Sequence, residues 1–394
     1  PAQVPSHFAD EPEHIALLRE TLRRFVAAEM PPEKRQRWDR EHRFPRELFA
    51  KLAALGVCGL TIDETHGGAG VDLVAAVAVI EELCRGGAFA AGPFIHCAFY
   101  GGMNISENGS EEQKRALLPR LARGELLFAA GLSEPDVGGD LASVRTTARL
   151  SADGHQLLLN GAKRWCTGAE FADLIYCLVR SGPDDARYQN LSLVLVDPRG
   201  PGISISPIEH MNLRYTLSSD VVFDDAPVPL ENVVGGPDAL GRGWKMLAGR
   251  ALDVEKLEIT AVTFGIAQAA VEEAWSYAQQ RVQFGKPIAA HQSVRHTLVE
   301  ARTQLEACRH MLYHAAWLAQ QRRPCSVETS MAKLFVADTG VQIALACQRV
   351  MGAYGLSEGH DMERNVRDLL GMPIVGGSSA MQKNNLARRW GLPE

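Results

Sequence analysis

Long hydrophobic runs are missing from this chain of 394 residues. The apolar stretch VAAVAVI (74–80) meets Glu81 and Glu82 at once, and nothing approaches the ~20 apolar residues a membrane span needs. The first residues, PAQVPSHFADEPEH, are polar and acidic and lack the apolar core of a secretory signal. A basic excess is also missing: 41 Lys and Arg against 47 Asp and Glu leave a net charge of −6, which argues against nucleic acid as the main partner. Paired cysteine spacing is absent. Cys58, Cys84, Cys97, Cys166, Cys177, Cys308, Cys325 and Cys347 are scattered, with no CxxC among them. They read as reduced, mostly buried thiols of a cytoplasmic protein rather than as zinc ligands or a disulfide framework. No GxGxxG follows a strand, and GxxxxGK[ST] and HExxH do not occur, which argues against Rossmann, P-loop and zincin sites. No metal is expected.

What is present changes texture twice. Residues 1–128 read as helices: RETLRRFVAAEM, PRELFAKLAALGV and EEQKRALLPRLARG carry apolar residues at helical spacing. Residues 129–240 switch to short β-type runs, TTARLS, HQLLLNG, LIYCLVR, LSLVLVD, ISISPI and SDVVFDD. They are divided by DG, SGPDD, DPRGPG and DDAPVP, all turn chemistry. That spacing predicts an antiparallel barrel or sandwich. Residues 241–394 return to helices, long ones over 251–281, 291–321 and 326–351, then a glycine-rich loop and a short closing helix. The expected architecture is an α+β multidomain chain: a helical N-terminal domain, a middle β domain and a C-terminal four-helix bundle.

Four segments carry a resemblance. LSEPDVGGDLASVRTTA (132–148), NGAKRWCTGAEFAD (160–173), RVQFGKPIAAHQSV (281–294) and MGAYGLSEGHDMERNVRD (351–368) occur in this order. Together they resemble the acyl-CoA dehydrogenase family over nearly the whole chain. The resemblance implies an FAD-dependent flavoenzyme, a homotetramer built as a dimer of dimers, acting on an acyl-CoA and passing electrons to an electron-transfer flavoprotein. It implies that Ser133, Trp165 and Thr167 surround the flavin ring. Arg281, Phe284 and Gln292 would hold the diphosphate and adenine of the partner subunit's FAD, and Gly377 and Ser378 would lie near its phosphate and ribityl side. An indole can stack on a planar ring, an Arg fork suits a diphosphate, and a helix start favours anions. Lys256, Gly139 and Gly376 match positions near the substrate. Two departures stand out. Gly139 replaces the family's usual Ser, and Arg349 stands where a Gln usually precedes the glycine turn, here Gly352–Gly355.

The chemistry implied is removal of the α-proton of an acyl thioester by a base while the β-hydrogen leaves as hydride to flavin N5. Most family members place that base as a Glu in the C-terminal loop, where this chain has Gly376. ALDVEKLEIT (251–260) is similar to the isovaleryl-CoA and long-chain branches, whose base lies on this helix, and Glu255 matches it. Leu252, Ile259, Val262 and Ile266 stand at helical spacing from Glu255. The carboxyl therefore sits on an apolar stripe, where desolvation makes it a stronger base. Glu258 is the nearest rival, expected on an adjoining face. The product is a 2,3-enoyl-CoA. Two alternatives stand beside this reading. GGSSAMQ and QRVQFG also resemble the crotonobetainyl-CoA reductase branch, which runs toward saturation, and the missing Gly139 and Gly376 side chains suit a non-catalytic FAD-binding subunit.

Overall fold

The computed structural model describes residues 11–393; the polar start read above falls outside them. The first helix, Glu13–Glu29, turns Ile15 and Leu22 inward. Glu111–Ala122 starts from a reciprocal cap in which Ser110 Oγ accepts the Gln113 N–H and the Gln113 side chain accepts the Ser110 N–H. Leu73–Cys84 is capped by Asp72 and is buried along almost its whole length, including Glu81 and Glu82. Those two carboxyls do not end the apolar run at a surface. They enter the core, where Arg19, Arg23, Arg85 and Arg309 meet them.

Seven strands form the middle sheet: β1 (Phe128–Gly131), β2 (Thr147–Leu150), β3 (Gln156–Thr167), β4 (Leu174–Arg180), β5 (Leu191–Val196), β6 (Ile203–Pro207) and β7 (Ser218–Pro229). The path runs β1-β4-β2-β3-β7-β6, with β5 on β4. The sheet was expected to be antiparallel throughout. Most pairings are, but β1 runs parallel to β4 (Phe128↔Leu174), and β2 touches β4 in parallel at Thr147↔Arg180. The sequence hid β1 because FAAG has a single strand-favouring residue, Phe128, followed by two alanines and a glycine. Strand β3 is also longer than its HQLLLNG run. It continues through the Trp165 segment across two register shifts, at Leu159/Gly161 and Lys163/Cys166.

After the sheet come Leu252–Gln280, Gln292–Gln320 and Ser326–Met351, followed by the shorter Met362–Leu370 and Ser379–Arg389. N-terminal and C-terminal helices share one core that includes Leu22, Ile80, Phe94, Phe264, Leu305 and Ile343. The sheet has its own, around Leu159, Ile175, Val194 and Phe223. The segment Ser326–Leu356 is long and apolar enough, by length and composition, to cross a membrane. Here Val336, Ala337, Ile343, Ala344 and Cys347 on it are buried in the shared core. All eight cysteines are buried and free.

Candidate active site

Two of the segments singled out by sequence are clamped to each other. Glu134 and Lys163 form a buried ion pair at 2.7 Å, and Glu134 also accepts the backbone N–H groups of Arg145 (2.6 Å) and Thr146 (2.9 Å). The Arg164 N–H donates to the Ser133 carbonyl at 2.9 Å. Burial alone would raise the Glu134 pKa, but Lys163 and these donors hold it below the ordinary range. This clamp sets Ser133 beside the bulge of β3. A bulge re-aims a side chain: Trp165 adopts φ +62° and leaves its indole 52% exposed, with the Arg164 guanidinium 5.1 Å from its ring. Arg164 is held in turn by Asp220 at 2.8 Å. Thr167 closes the strand, its hydroxyl 2.9 Å from that of Ser218.

A small cavity lies where the sheet meets the helices. Phe99, Tyr100 and Met103 line it from a π-helical stretch, His96–Met103, and Leu247 and Ala251 from either side of a kink at Gly249 (φ −86°, ψ −131°). Wide π turns recur at functional sites. Leu132 and Tyr176 come from the sheet side, and Glu255 and Glu258 from the Leu252–Gln280 helix. Burial raises the Glu255 pKa, against the pull of Lys256 and Lys333. Burial, with Glu255 adding to it, pushes Glu258 well above the ordinary range. The expectation that Glu258 points elsewhere is corrected: it shares the cavity. Residues three apart on a helix are neighbours, so one apolar stripe carries both.

The C-terminal loop covers this helix. A Cβ on Gly376, at φ +61°, would stand 2.5 Å from Ile259 Cγ1, one turn beyond Glu255. Gly377, at φ +78°, would bring one to 2.6 Å from Gln382 Nε2, and Ser378 caps the helix Ser379–Arg389 by accepting the Met381 N–H. Gly139 approaches the same helix, its would-be Cβ 3.0 Å from Met381 Sδ. The middle segment and the C-terminal loop thus come together beside Glu255. Lys256 donates to Asp253 at 2.8 Å.

Arg281, Phe284, Gln292, Arg349 and Gly352 gather elsewhere. Arg281 caps the far end of the Leu252–Gln280 helix, with its guanidinium 5.5 Å from the Tyr354 ring that follows Gly352. Phe284, at φ +52°, is 94% exposed on the hairpin before Gln292. At 1.5 Å per residue, the 26 residues from Glu255 to Arg281 span about 39 Å. One chain therefore does not bring these five residues to Trp165 and Glu255.

Sequence reasoning missed Lys333, which is fully buried, donates to the Met372 carbonyl at 2.6 Å and lies close enough to Glu255 to pull its pKa down. Burial lowers Lys333 to about 8, with Asp338 and Glu255 opposing. A lysine inside the apolar run MAKLFVA was the available signal. Tyr100, Asn104 and Tyr176 were missed as well; Tyr100 and Asn104 lie one turn apart on one continuous helical stretch, but Tyr176 comes from β4, and no local pattern joins it to them. FAD, the cofactor implied by the resemblance, fits the residues present. A rigidly held, half-exposed indole offers a stacking face, and the Gly376–Gly377 turn before a capped helix leaves a cradle that any Cβ would fill.

Sequence models of the acyl-CoA dehydrogenase N-terminal, middle and C-terminal domains match residues 12–125, 129–226 and 241–391. The chain is 36% identical over 369 residues to an acyl-CoA dehydrogenase of Bacillus subtilis (strain 168), covering 93% of this chain and 95% of that one. It is 30% identical over 373 residues to the acryloyl-CoA reductase (NADH) of Anaerotignum propionicum, covering 94% and 93%. Among solved structures, the glutaryl-coenzyme A dehydrogenase glutaryl-CoA complex superposes with a TM-score of 0.92 at 29% identity, covering 98% of this chain and 97% of that one. Matches across all three regions, at this coverage, establish that the chain belongs to the acyl-CoA dehydrogenase family of FAD-dependent oxidoreductases.

Proposed function

We propose that this protein dehydrogenates an acyl-CoA thioester to its 2,3-enoyl-CoA, with Glu255 as the base that takes the α-proton. The observation that carries this is the placement of Glu255: on the cavity, on an apolar helix face, with burial raising its proton affinity. A base poised closer to neutral pH transfers protons more effectively. FAD, when bound, accepts the β-hydrogen with its electron pair. The protein's own groups do the rest. Trp165, Ser133 and Thr167 form the wall on which the flavin ring is held. Gly376, Gly377 and Ser378 bring backbone close to it, and Gly139 leaves room beside the acyl thioester. Lys256, fixed by Asp253, stands near the CoA side.

The exposed group at the far end of the helix, Arg281, Phe284, Gln292, Arg349 and Gly352, serves the FAD of a partner subunit. The 39 Å span and the 94% exposure of Phe284 support this reading. A homotetramer, with an electron-transfer flavoprotein as electron acceptor, completes it. Arg281→Ala is then expected to lose FAD on dialysis, since charged hydrogen bonds contribute ~1.5–3 kcal/mol each.

The test is anaerobic bleaching of the flavin absorbance by a panel of acyl-CoA thioesters, in wild type and in Glu255→Gln. Reduction in wild type and none in the variant supports the reading. No reduction by any thioester points to a subunit that holds FAD without turnover. A second reading, reduction of an enoyl-CoA, is favoured by the similarity to the acryloyl-CoA reductase. Reoxidation of the reduced flavin by enoyl-CoA faster than its formation by the saturated thioester would select it.

A further inference from the structure

Three polar groups on the Glu255 cavity have no hydrogen-bond partner: Glu258 Oε2, Asn104 Oδ1 and the Tyr176 hydroxyl. Their residues are 2%, 7% and 2% exposed, and all three line the same cavity. They converge from separate elements: Asn104 from the end of the π-helical stretch, Tyr176 from β4 and Glu258 from the Leu252–Gln280 helix. The Asn104 amide nitrogen is committed to the Tyr100 carbonyl at 3.3 Å, which leaves its oxygen as the free end. Besides Glu255 and Tyr100, the rest of the wall is apolar: Phe99, Met103, Ala130, Leu132, Leu247 and Ala251. Buried polar atoms in such surroundings are costly unless something pairs with them. A plain alkyl chain would leave all three unmet.

The charge balance narrows the choice. No Lys or Arg lines the cavity, so a carboxylate on the acyl chain would find no counter-charge. The cavity is also small, about 20 Å³, so the substituent itself is small. Glu258 lies one helical step, roughly 5–6 Å, beyond the base. That is about the reach from the α carbon of an acyl chain to a group on its γ or δ carbon.

We propose that the preferred substrate is an acyl-CoA bearing a neutral hydroxyl toward the far end of a short chain, held by Glu258, Asn104 and Tyr176. The hydroxyl donates to the Asn104 oxygen or to Glu258 and accepts from Tyr176 or from the protonated Glu258. Burial keeps that carboxyl in its acid form, able to give as well as take a hydrogen bond. Glu258 is on this account a specificity residue, distinct in role from the neighbouring base. The inference rests on the dehydrogenation reading above.

The test measures single-turnover flavin reduction of the FAD-loaded enzyme by four five-carbon thioesters: valeryl-, 5-hydroxyvaleryl-, 5-aminovaleryl- and glutaryl-CoA. A site built to bond a hydroxyl discriminates strongly against analogues lacking it. The expected preference for 5-hydroxyvaleryl- over valeryl-CoA is tenfold or more. Glu258→Leu and, independently, Tyr176→Phe are each expected to bring that ratio toward one. Equal rates for the two thioesters in wild type would overturn the inference and leave the three groups to bound water. A preference for the amino or the carboxyl thioester would overturn it in favour of a charged substituent. A ratio unmoved in both variants would overturn the assignment to these residues. If no thioester reduces the flavin, the dehydrogenase reading itself falls, an outcome distinct from the other three.

Discussion

Two pairs of glutamates, all buried except the half-buried Glu255, sit on helices that touch each other: a Cβ on Gly265 of the Leu252–Gln280 helix would stand 2.5 Å from the Glu81 carbonyl oxygen. Around Glu81 and Glu82 every oxygen is met. Arg19 and Arg309 reach Glu81 at 2.9 Å each, and Tyr313 donates to it as well. Arg23 and Arg85 reach Glu82 at 2.7 and 3.0 Å. Burial would raise the Glu81 pKa, yet the guanidinium groups outweigh it and hold it at about 2. Around Glu255 and Glu258 no guanidinium arrives, and burial prevails. Glu81 and Glu258, 1% and 2% exposed, thus shift in opposite directions, one held as an anion and the other favouring its proton. Depth does not make a base; the lack of a paired cation does.

The comparison breaks most sharply through substitution of the second pair. Glu255→Gln is expected to slow flavin reduction ~10²–10⁴-fold without lowering the melting temperature. Glu81→Gln is expected to do the opposite. It strands Arg19 and Arg309, and breaking a buried ion pair from one side costs ~3–5 kcal/mol, read from the denaturant midpoint, while folded enzyme still reduces its flavin. Equal slowing by both substitutions would erase the distinction. Gly376→Ala probes the cover over the unpaired acids. Its positive φ and the approach to Ile259 are expected to cost ~1–2 kcal/mol, and a second substitution, Ile259→Ala, should return part of it.

The smallest expected effect is in pH, and its sign differs between the pairs. A folded-state pKa below the unfolded value, as at Glu81, adds stability that is lost as pH falls from the ordinary carboxylate range toward about 2. A folded-state pKa above the unfolded value, as at Glu258, is stabilising only in acid and is lost as pH rises through it. Glu258→Gln should therefore gain in melting temperature relative to wild type between pH 5 and pH 8, with the gap widening upward. A gap that narrows with rising pH would contradict the desolvated state of Glu258.

The helix–strand–helix order was legible because hydrophobic spacing changes from the helical to the strand period and back. Strand β1 was not, since after Phe128 its side chains are too small to mark it, and half of β3 was not, since two register shifts interrupt its alternation. Glu255 was legible from the motif around it and from its apolar stripe. The role of Glu81 and Glu82 was hidden: on paper they end an apolar run, and partners as remote as Arg19, 63 positions from Glu82, and Arg309, 228 from Glu81, show that they are buried. Tyr100, Asn104 and Tyr176 face Glu258 for the same reason. Cavities are built by chain returns that no local pattern encodes.

One long helix bears Glu255 near its start and Arg281 at its end. If each chain's Arg281 serves its neighbour's cofactor, the two defects Glu255→Gln and Arg281→Ala are complementary. In a mixed dimer of the two variants, one site lacks both groups and the other has both intact. Co-expression of two inactive proteins would then restore half of the sites in every mixed dimer, a genetic signature of a rod shared between two reaction centres.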